Sequence, residues 1–344
     1  MYRFTCDYEE GCLPEILSLL NDTNLVQTPG YGTDVYCEHA RGLIREFCSC
    51  PEADVHFLVG GTQANLTVIA SVLRPWQGVL SAQTGHVAVH ETGAVEATGH
   101  KVLALESPDG KVSAEALKKA LDAHFGDPHS EHTVQPGMLY ISFPTENGQL
   151  YSLRELTELS RICRGAGIPL YLDGARLAYG LTADACDVTA ADIARLCDVF
   201  YLGGTKCGAL FGEAVVITSP ALKKDFRYMI KQRGGMLAKG RLLGIQFQGL
   251  MEEDRYLSLG RRANSLALRV KKAFTQAGVP FMIDSPTNQQ FPILTAEQLD
   301  RLAPSFAWDP WETLPDGRQA VRFCTSWATR EEAVTALENA LAGL

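Results

Sequence analysis

The sequence predicts an α/β protein: a large lobe on a mainly parallel sheet with helices on both faces, then a smaller C-terminal α+β lobe. Three observations carry this. Short apolar runs alternate with helical patterns from residue 54 to residue 217, as stacked strand–helix units do. Two of the runs end in functional groups. Pro169-Leu-Tyr-Leu172 delivers Asp173-Gly-Ala-Arg176, and Asp198-Val-Phe-Tyr-Leu202 delivers Gly203-Gly-Thr-Lys206. From about residue 276 the pattern shifts to short strands with a terminal helix. The expected division is an N-terminal arm and helix over 1–50, a large domain over 51–275 and a small domain over 276–344.

The whole chain sets bounds on function. Its 344 residues, 46% of them hydrophobic, are enough for a large core in two lobes. A formal charge of −9 argues against a nucleic-acid surface or an anionic membrane as partner. No apolar run approaches the roughly 20 residues of a membrane helix. Met1-Tyr-Arg-Phe-Thr-Cys-Asp7 lacks the plan of a signal peptide. The ten cysteines are scattered, with no CxxC and no zinc-site spacing. They read as reduced, mostly buried thiols of a cytoplasmic protein, and no metal is expected.

In chain order, Asp7-Tyr-Glu-Glu-Gly11 is turn-like and Leu13 to Leu20 is helical. Asn24 to Tyr36, rich in Gly and aromatics, is either a plain loop or a segment lining a site or a subunit contact. Asp54–Val59 is a strand leading into Gly60-Gly-Thr-Gln-Ala-Asn65 and a helix through Leu73. Glycines ahead of a helix free backbone N–H groups at its positive end, which suits a monophosphate; a plain turn is the alternative. His86 and His90 sit four apart with Glu91 beside them. They could be a metal pair, packed or capping residues, or, for His86, a ring stacked on a flat cofactor.

Lys101–Leu105 and Met138–Ser142 are strands, the second leading to Phe143-Pro-Thr-Glu-Asn-Gly148. Ser113 opens one helix, Ser152-Leu-Arg-Glu155 is a capping box for another, and Thr189 to Asp192 opens a third. Ala214–Ile217 is a strand, 220–275 is helical, and the basic stretch Lys231–Arg241 is interrupted by glycines and apolar residues. Strands at Val279–Ile283, Gln290–Leu294 and Ala320–Thr325 follow, and Thr329-Arg-Glu-Glu332 is expected to cap the last helix. Arg322, alone in an apolar strand, calls for an anion, either a structural carboxylate or a substrate.

An acid and a lysine at the carboxyl ends of two strands are where open α/β sheets put ligands. They suit pyridoxal 5'-phosphate (PLP): the lysine amine bonds the cofactor's aldehyde, the carboxylate keeps the ring nitrogen protonated, and the ring is an electron sink.

Gly60-Gly-Thr-Gln-Ala-Asn65, His86…Glu91-Thr-Gly93, Asp173-Gly-Ala-Arg176, Gly204-Thr-Lys206 and Val321-Arg322 together resemble the threonine aldolase/β-eliminating lyase family, in order and over nearly the whole chain. These are fold-type I PLP enzymes with a seven-stranded type of sheet. The resemblance implies that Lys206 bonds the cofactor, Asp173 pairs with the pyridine nitrogen and His86 stacks on the ring. It implies that Gly61, Thr62 and Thr205 hold the phosphate, and that Arg176 and Arg322 hold the substrate α-carboxylate. Cys6 falls where the family often has a serine near that carboxylate, with Tyr36 and Glu91 as further substrate contacts. A homodimer or homotetramer with interfacial sites would let Tyr31, Tyr36, Lys239 and Arg241 reach into a neighbour's site.

The implied activity is that of an aldehyde-lyase: aldol cleavage of a β-hydroxy-α-amino acid, of the L-threonine or L-allo-threonine type, to glycine and an aldehyde. β-Elimination, racemisation or transamination of a small amino acid is the alternative on the same scaffold. A binding protein without turnover is a third reading, against which the Asp173, Lys206 and Arg322 set argues. The chain departs from the family's Asn-Thr-His run, having Thr145-Glu146 there, and has Ser326 where histidine is usual. Candidates for the β-hydroxyl base are therefore His86, or a water held by Glu91 or Glu146.

Overall fold

The computed structural model describes residues 1–343. An arm strand, β1 (Tyr2–Arg3), precedes helices α1 (Pro14–Asp22) and α2 (Val35–Phe47). The large lobe then runs β2 (Asp54–Leu58), α3 (Gly61–Val72), β3 (Gln77–Ala82), α4 (His86–Val89), β4 (Val102–Leu105), α5 (Ala114–Phe125) and β5 (Gln135–Ser142). It continues through α6 (Leu153–Ala166), β6 (Leu170–Asp173), α7 (Leu177–Leu181), α8 (Ala190–Leu196), β7 (Val199–Gly203) and β8 (Glu213–Ile217). Helices α9 (Pro220–Lys223), α10 (Phe226–Gln232), α11 (Arg241–Met251) and α12 (Arg255–Gln276) lead out of it. The small lobe holds β9 (Phe281–Ile283), β10 (Gln289–Leu294), α13 (Ala296–Leu302), β11 (Phe306–Ala307), β12 (Asp309–Thr313), β13 (Gln319–Cys324) and α14 (Glu331–Leu341).

Seven strands form the main sheet in the order β2-β8-β7-β6-β5-β3-β4. The neighbours from β7 to β4 are parallel, whereas β8 is antiparallel to both β7 and β2. The sheet is therefore mixed, with one reversed strand. Side chains alternate between its faces. Leu139, Ile141, Leu170 and Leu172 enter one core, and Met138, Tyr140, Tyr171 and Tyr201 enter the other. Burial on both faces explains why these strands read as near-continuous apolar runs.

The capping boxes at Ser152–Glu155 and Thr189–Asp192 both form. Three readings differ from the structure. Helix α2 begins inside the segment read as loop, because the Asp34 side chain accepts the Cys37 N–H at 2.9 Å and starts a helix that the preceding glycines conceal. Thr329 does not cap α14; its Oγ1 accepts the Ser326 N–H at 2.7 Å, closing a turn, and the helix starts after Arg330. Packing also divides the chain differently from the composition shift at 276. Helix α12 crosses between lobes, with Tyr256 and Ala263 in the large core and Leu266, Val270 and Phe274 in the small one. Phe4 joins the small core too, because β1 pairs with β11. Among the described residues no helix is long and apolar enough to cross a membrane.

The exits of β6 and β7 touch. The Gly203 N–H donates to Gly174 O at 2.9 Å. A Cβ on Gly203 would fall 2.2 Å from Ala175 O, and one on Gly174 would fall 2.0 Å from Tyr201 O. Only glycine lets these backbones close and bring Asp173 beside the Lys206 turn. Gly203→Ala is expected to cost roughly 1–3 kcal/mol, the range of overpacked interiors, read as a lower urea midpoint at unchanged slope.

Candidate active site

Strand ends converge on a cavity of about 300 Å³. Gly60, Gly61 and Thr62 line one end, Thr205, Lys206 and Glu213 a second side, and Asp173, Ala175 and Tyr201 the floor. A second cavity of about 350 Å³ opens toward the small lobe, with His90, Asp309, Trp311 and Arg322 in its wall. Tyr8, His86, Glu146, Arg176 and Lys206 line both. The site thus lies between the lobes, and the N-terminal arm supplies Tyr8.

Asp173 is 4% exposed and accepts four hydrogen bonds. Tyr201 Oη (2.5 Å) and Ala175 N (3.0 Å) donate to Oδ1; Tyr140 Oη (2.5 Å) and Asn65 Nδ2 (3.0 Å) donate to Oδ2. Those bonds fill the roughly four lone-pair sites of a carboxylate. A ring nitrogen reaching Asp173 must displace one donor, and of the two phenols Tyr201 is the one lining the cavity. Asn65 also donates to Glu91 Oε1 at 2.7 Å, and that oxygen lies 2.8 Å from His86 Nδ1. Glu91, expected at the substrate, is instead buried at 5% and lines neither cavity. It fixes the ring of His86, whose side chain lines both.

Lys206 has its pKa lowered, by burial first and then by the nearby Arg176 guanidinium. Both favour the neutral amine, the form that bonds an aldehyde. Arg176 itself is not a free fork. Its Nε and Nη2 bind Asp7 at 2.7 and 2.9 Å, and Asn288 Nδ2 also donates to Asp7, at 2.9 Å. Burial alone would raise the Asp7 carboxyl, but Arg176 and Lys206 hold it below its ordinary value. This clamp ties the arm to both lobes.

Arg322 keeps open capacity. Its Nη2 pairs with Asp309 at 2.8 Å and donates to Thr5 O at 3.2 Å, its Nη1 donates to Gln289 Oε1 at 3.0 Å, and its buried Nε has no partner among the described residues. Asp309 is 40% exposed on its side chain and is the more exposed half of that pair.

Glu146 Oε1 accepts from Ser142 Oγ at 2.7 Å and from the His86 N–H at 2.9 Å. Its pKa is raised by burial, which the Ser142 hydrogen bond only partly offsets. Cys6 is half-buried on the arm, its thiol pushed up by burial, and does not line either cavity. Tyr31, Tyr36, Lys239 and Arg241 also lie outside both cavities. Arg241 donates to the carbonyls of Val26 and Asn24, and Tyr31 takes Lys231 over its ring at 5.0 Å.

The donor set fits PLP: a helix N-terminus behind glycines, a floor carboxylate, a desolvated amine and a volume within the usual ligand-site range. Sequence reading missed Asp7, Tyr8, Asn65 as a bridge, and Glu213. Asn65 alone carried a signal, as the last residue of the glycine-rich motif.

Known proteins extend this geometry. The sequence model of the family described as beta-eliminating lyase matches residues 26–297. A low specificity L-threonine aldolase of Pseudomonas sp. (strain NCIMB 10558) is 28% identical over 342 residues, covering 97% of this chain and 95% of the relative. A solved Leishmania major threonine aldolase is 44% identical with a TM-score of 0.97, covering 100% of this chain and 99% of that one. Thermus thermophilus aspartate aminotransferase, at 13% identity and a TM-score of 0.71 over 100% of this chain and 91% of its own, shares the fold alone.

Proposed function

The chain belongs to the beta-eliminating lyase family, and on that premise we propose that it is a PLP-dependent lyase cleaving a β-hydroxy-α-amino acid of the threonine type to glycine and an aldehyde. The observation that carries this is the Lys206 side chain in one cavity with the Asp173 carboxylate and the α3 N-terminus. Bound there, PLP supplies an electron sink for the charge left on Cα when a bond to it breaks.

The chain's own groups do the rest. Gly61, Thr62 and Thr205 would hold the phosphate, and Lys206 would be the amine that bonds the aldehyde. Asp173 would hold the proton on the ring nitrogen, in the place where Tyr201 now donates to it. His86, kept in orientation by Glu91, would cover the ring. Arg322 holds the substrate carboxylate in place of Asp309, and its single fork sets which Cα bond is turned toward cleavage. Arg176, clamped by Asp7, acts on Lys206 through its charge and is not needed for the carboxylate.

Glu146 takes the β-hydroxyl proton. It borders both cavities, and Ser142 and the His86 N–H fix the oxygen that they share. With that proton removed, Cα–Cβ cleavage releases the aldehyde, and a proton returned to Cα completes glycine.

A second copy covering the exposed Leu25, Val26, Tyr31 and Val35 gives Tyr31, Tyr36, Lys239 and Arg241 their use, in a homodimer or homotetramer. The ten unpaired thiols suit the cytoplasm.

The test is a product assay on the PLP-loaded protein with L-threonine, L-allo-threonine and L-phenylserine. Glycine and aldehyde in equal amounts are expected; a 2-oxo acid with ammonia would mean elimination instead. Glu146→Gln should lower kcat by about 10²–10⁴-fold, the range of a general base, without changing cofactor absorbance. Because only ionised Glu146 accepts a proton, wild-type activity should fall as pH drops through its raised pKa. Wild-type turnover in the glutamine variant would move the base to His86.

A further inference from the structure

Strand β8 runs against its neighbours, so its first residue stands where the parallel strands end. The register sets Glu213 opposite Leu58 on one side and Gly203 on the other. It therefore sits between the exit of β2, which leads to Gly60-Gly61-Thr62, and the exit of β7, which leads to Thr205-Lys206. Glu213 is 3% exposed and lines the cavity at this point. The reaction as derived above does not use it, and an acid at an anion-binding end calls for a reason.

Its hydrogen bonds give one. Thr205 Oγ1 donates to Glu213 Oε1 at 2.9 Å and accepts from the Gly212 N–H at 3.0 Å, while the Gly204 N–H donates to Glu213 Oε2 at 3.2 Å. A hydroxyl has one proton. While Glu213 is ionised, the Thr205 proton is committed to it and cannot reach a phosphate. An ionised Glu213 would also share one small cup with a phosphate carrying about −1.5 to −2 charges, and two like charges that close are not both kept.

We propose that Glu213 is the positioning residue of the phosphate end, and that it holds a proton whenever the cofactor's phosphate is bound. Protonated, Glu213 donates to Thr205 Oγ1, which still accepts from Gly212 and turns its own proton into the cavity. The proton comes from solvent, so the balance is one proton gained per phosphate docked onto ionised Glu213.

The surroundings set the pH window. Burial is the main cause raising Glu213, to about 8, with the Thr205 bond and Lys206 pulling it back and Asp173 pushing it up. Tyr201 on β7, Tyr171 on β6, Tyr256 on α12 and the Cys207 thiol are within reach of its charge and are held neutral, each raised by burial. Below about pH 8 Glu213 already has its proton and phosphate affinity is flat. Above it each binding event must draw a proton, and Kd climbs by up to about tenfold per pH unit.

The inference rests on the cofactor reading above, so the test separates the two. Pyridoxine 5'-phosphate lacks the aldehyde and cannot bond Lys206. It is titrated into the cofactor-free full chain between pH 7 and 9.5, following protein fluorescence, alongside Glu213→Gln and with unphosphorylated pyridoxine as control. The expected result is a wild-type Kd that rises roughly tenfold more than the variant's per pH unit above 8, with no such difference for pyridoxine. Calorimetry of the wild type in two buffers of different ionisation enthalpy should give about one more proton taken up at pH 9 than at pH 7, whether or not the variant folds. Parallel Kd curves, or equal proton uptake at both pH values, would overturn the role of Glu213 alone. Failure of both proteins to bind the phosphorylated ligand at any pH would overturn the cofactor site with it.

Discussion

Lys206→Ala is expected to lower turnover by on the order of 10⁴-fold or more, the scale of deleting a catalytic nucleophile. Among the described residues Lys206 is the only lysine lining either site cavity, so no neighbour replaces it. Its environment is tuned for the neutral amine by burial and by Arg176, which Asp7 holds in place. The fold should survive, because the Lys206 carbonyl, which accepts from Tyr179 Oη at 2.5 Å, remains. Borohydride should fix the cofactor to the Lys206 peptide of the wild type and to no peptide of the variant, as peptide mass would show. A variant that still binds PLP covalently at full occupancy would remove Lys206 from its role.

Asp173→Asn should lower kcat by about 10²–10³-fold, the scale of losing one preorganised electrostatic contact. It should also destabilise the protein by roughly 1–3 kcal/mol, because an amide N–H₂ would face donors where a carboxylate accepts. Whichever way the amide turns, it meets a tyrosine hydroxyl with a second donor beside it, either Tyr201 with the Ala175 N–H or Tyr140 with Asn65. Steady-state kinetics and a thermal midpoint check the two effects separately. Loss of stability at wild-type kcat would leave Asp173 a structural residue and contradict its pairing with the ring nitrogen.

The parts legible in the sequence were those with a local signature. Asp173 and Lys206 follow apolar runs, and a strand end is recognisable from its own neighbours. The capping box at Ser152–Glu155 and the helix opening at Thr189–Asp192 were readable because a cap and its partner lie three residues apart. Helix α2 escaped because glycines precede its cap, and Thr329 misled because its side chain had a second partner, Ser326, within the same turn.

Residue types and spacing by themselves determined that two strand ends carry an acid and a lysine, that a glycine-rich turn precedes a helix, and that the large lobe alternates strand with helix. Only the tertiary structure decided which charges are free. Arg176 read as a substrate anchor until Asp7, 169 residues away, took its guanidinium. Arg322 kept an unpartnered Nε because Asp309 and Thr5 O meet its Nη2 and Gln289 meets its Nη1. Glu213 drew no reading, standing one residue before the strand read at Ala214–Ile217, and the reversal of β8 set it between two strand exits. The reason is physical. Helix caps and strand periods arise among neighbours in the chain, whereas desolvation and charge pairing depend on which distant groups the packed core brings within a few ångströms.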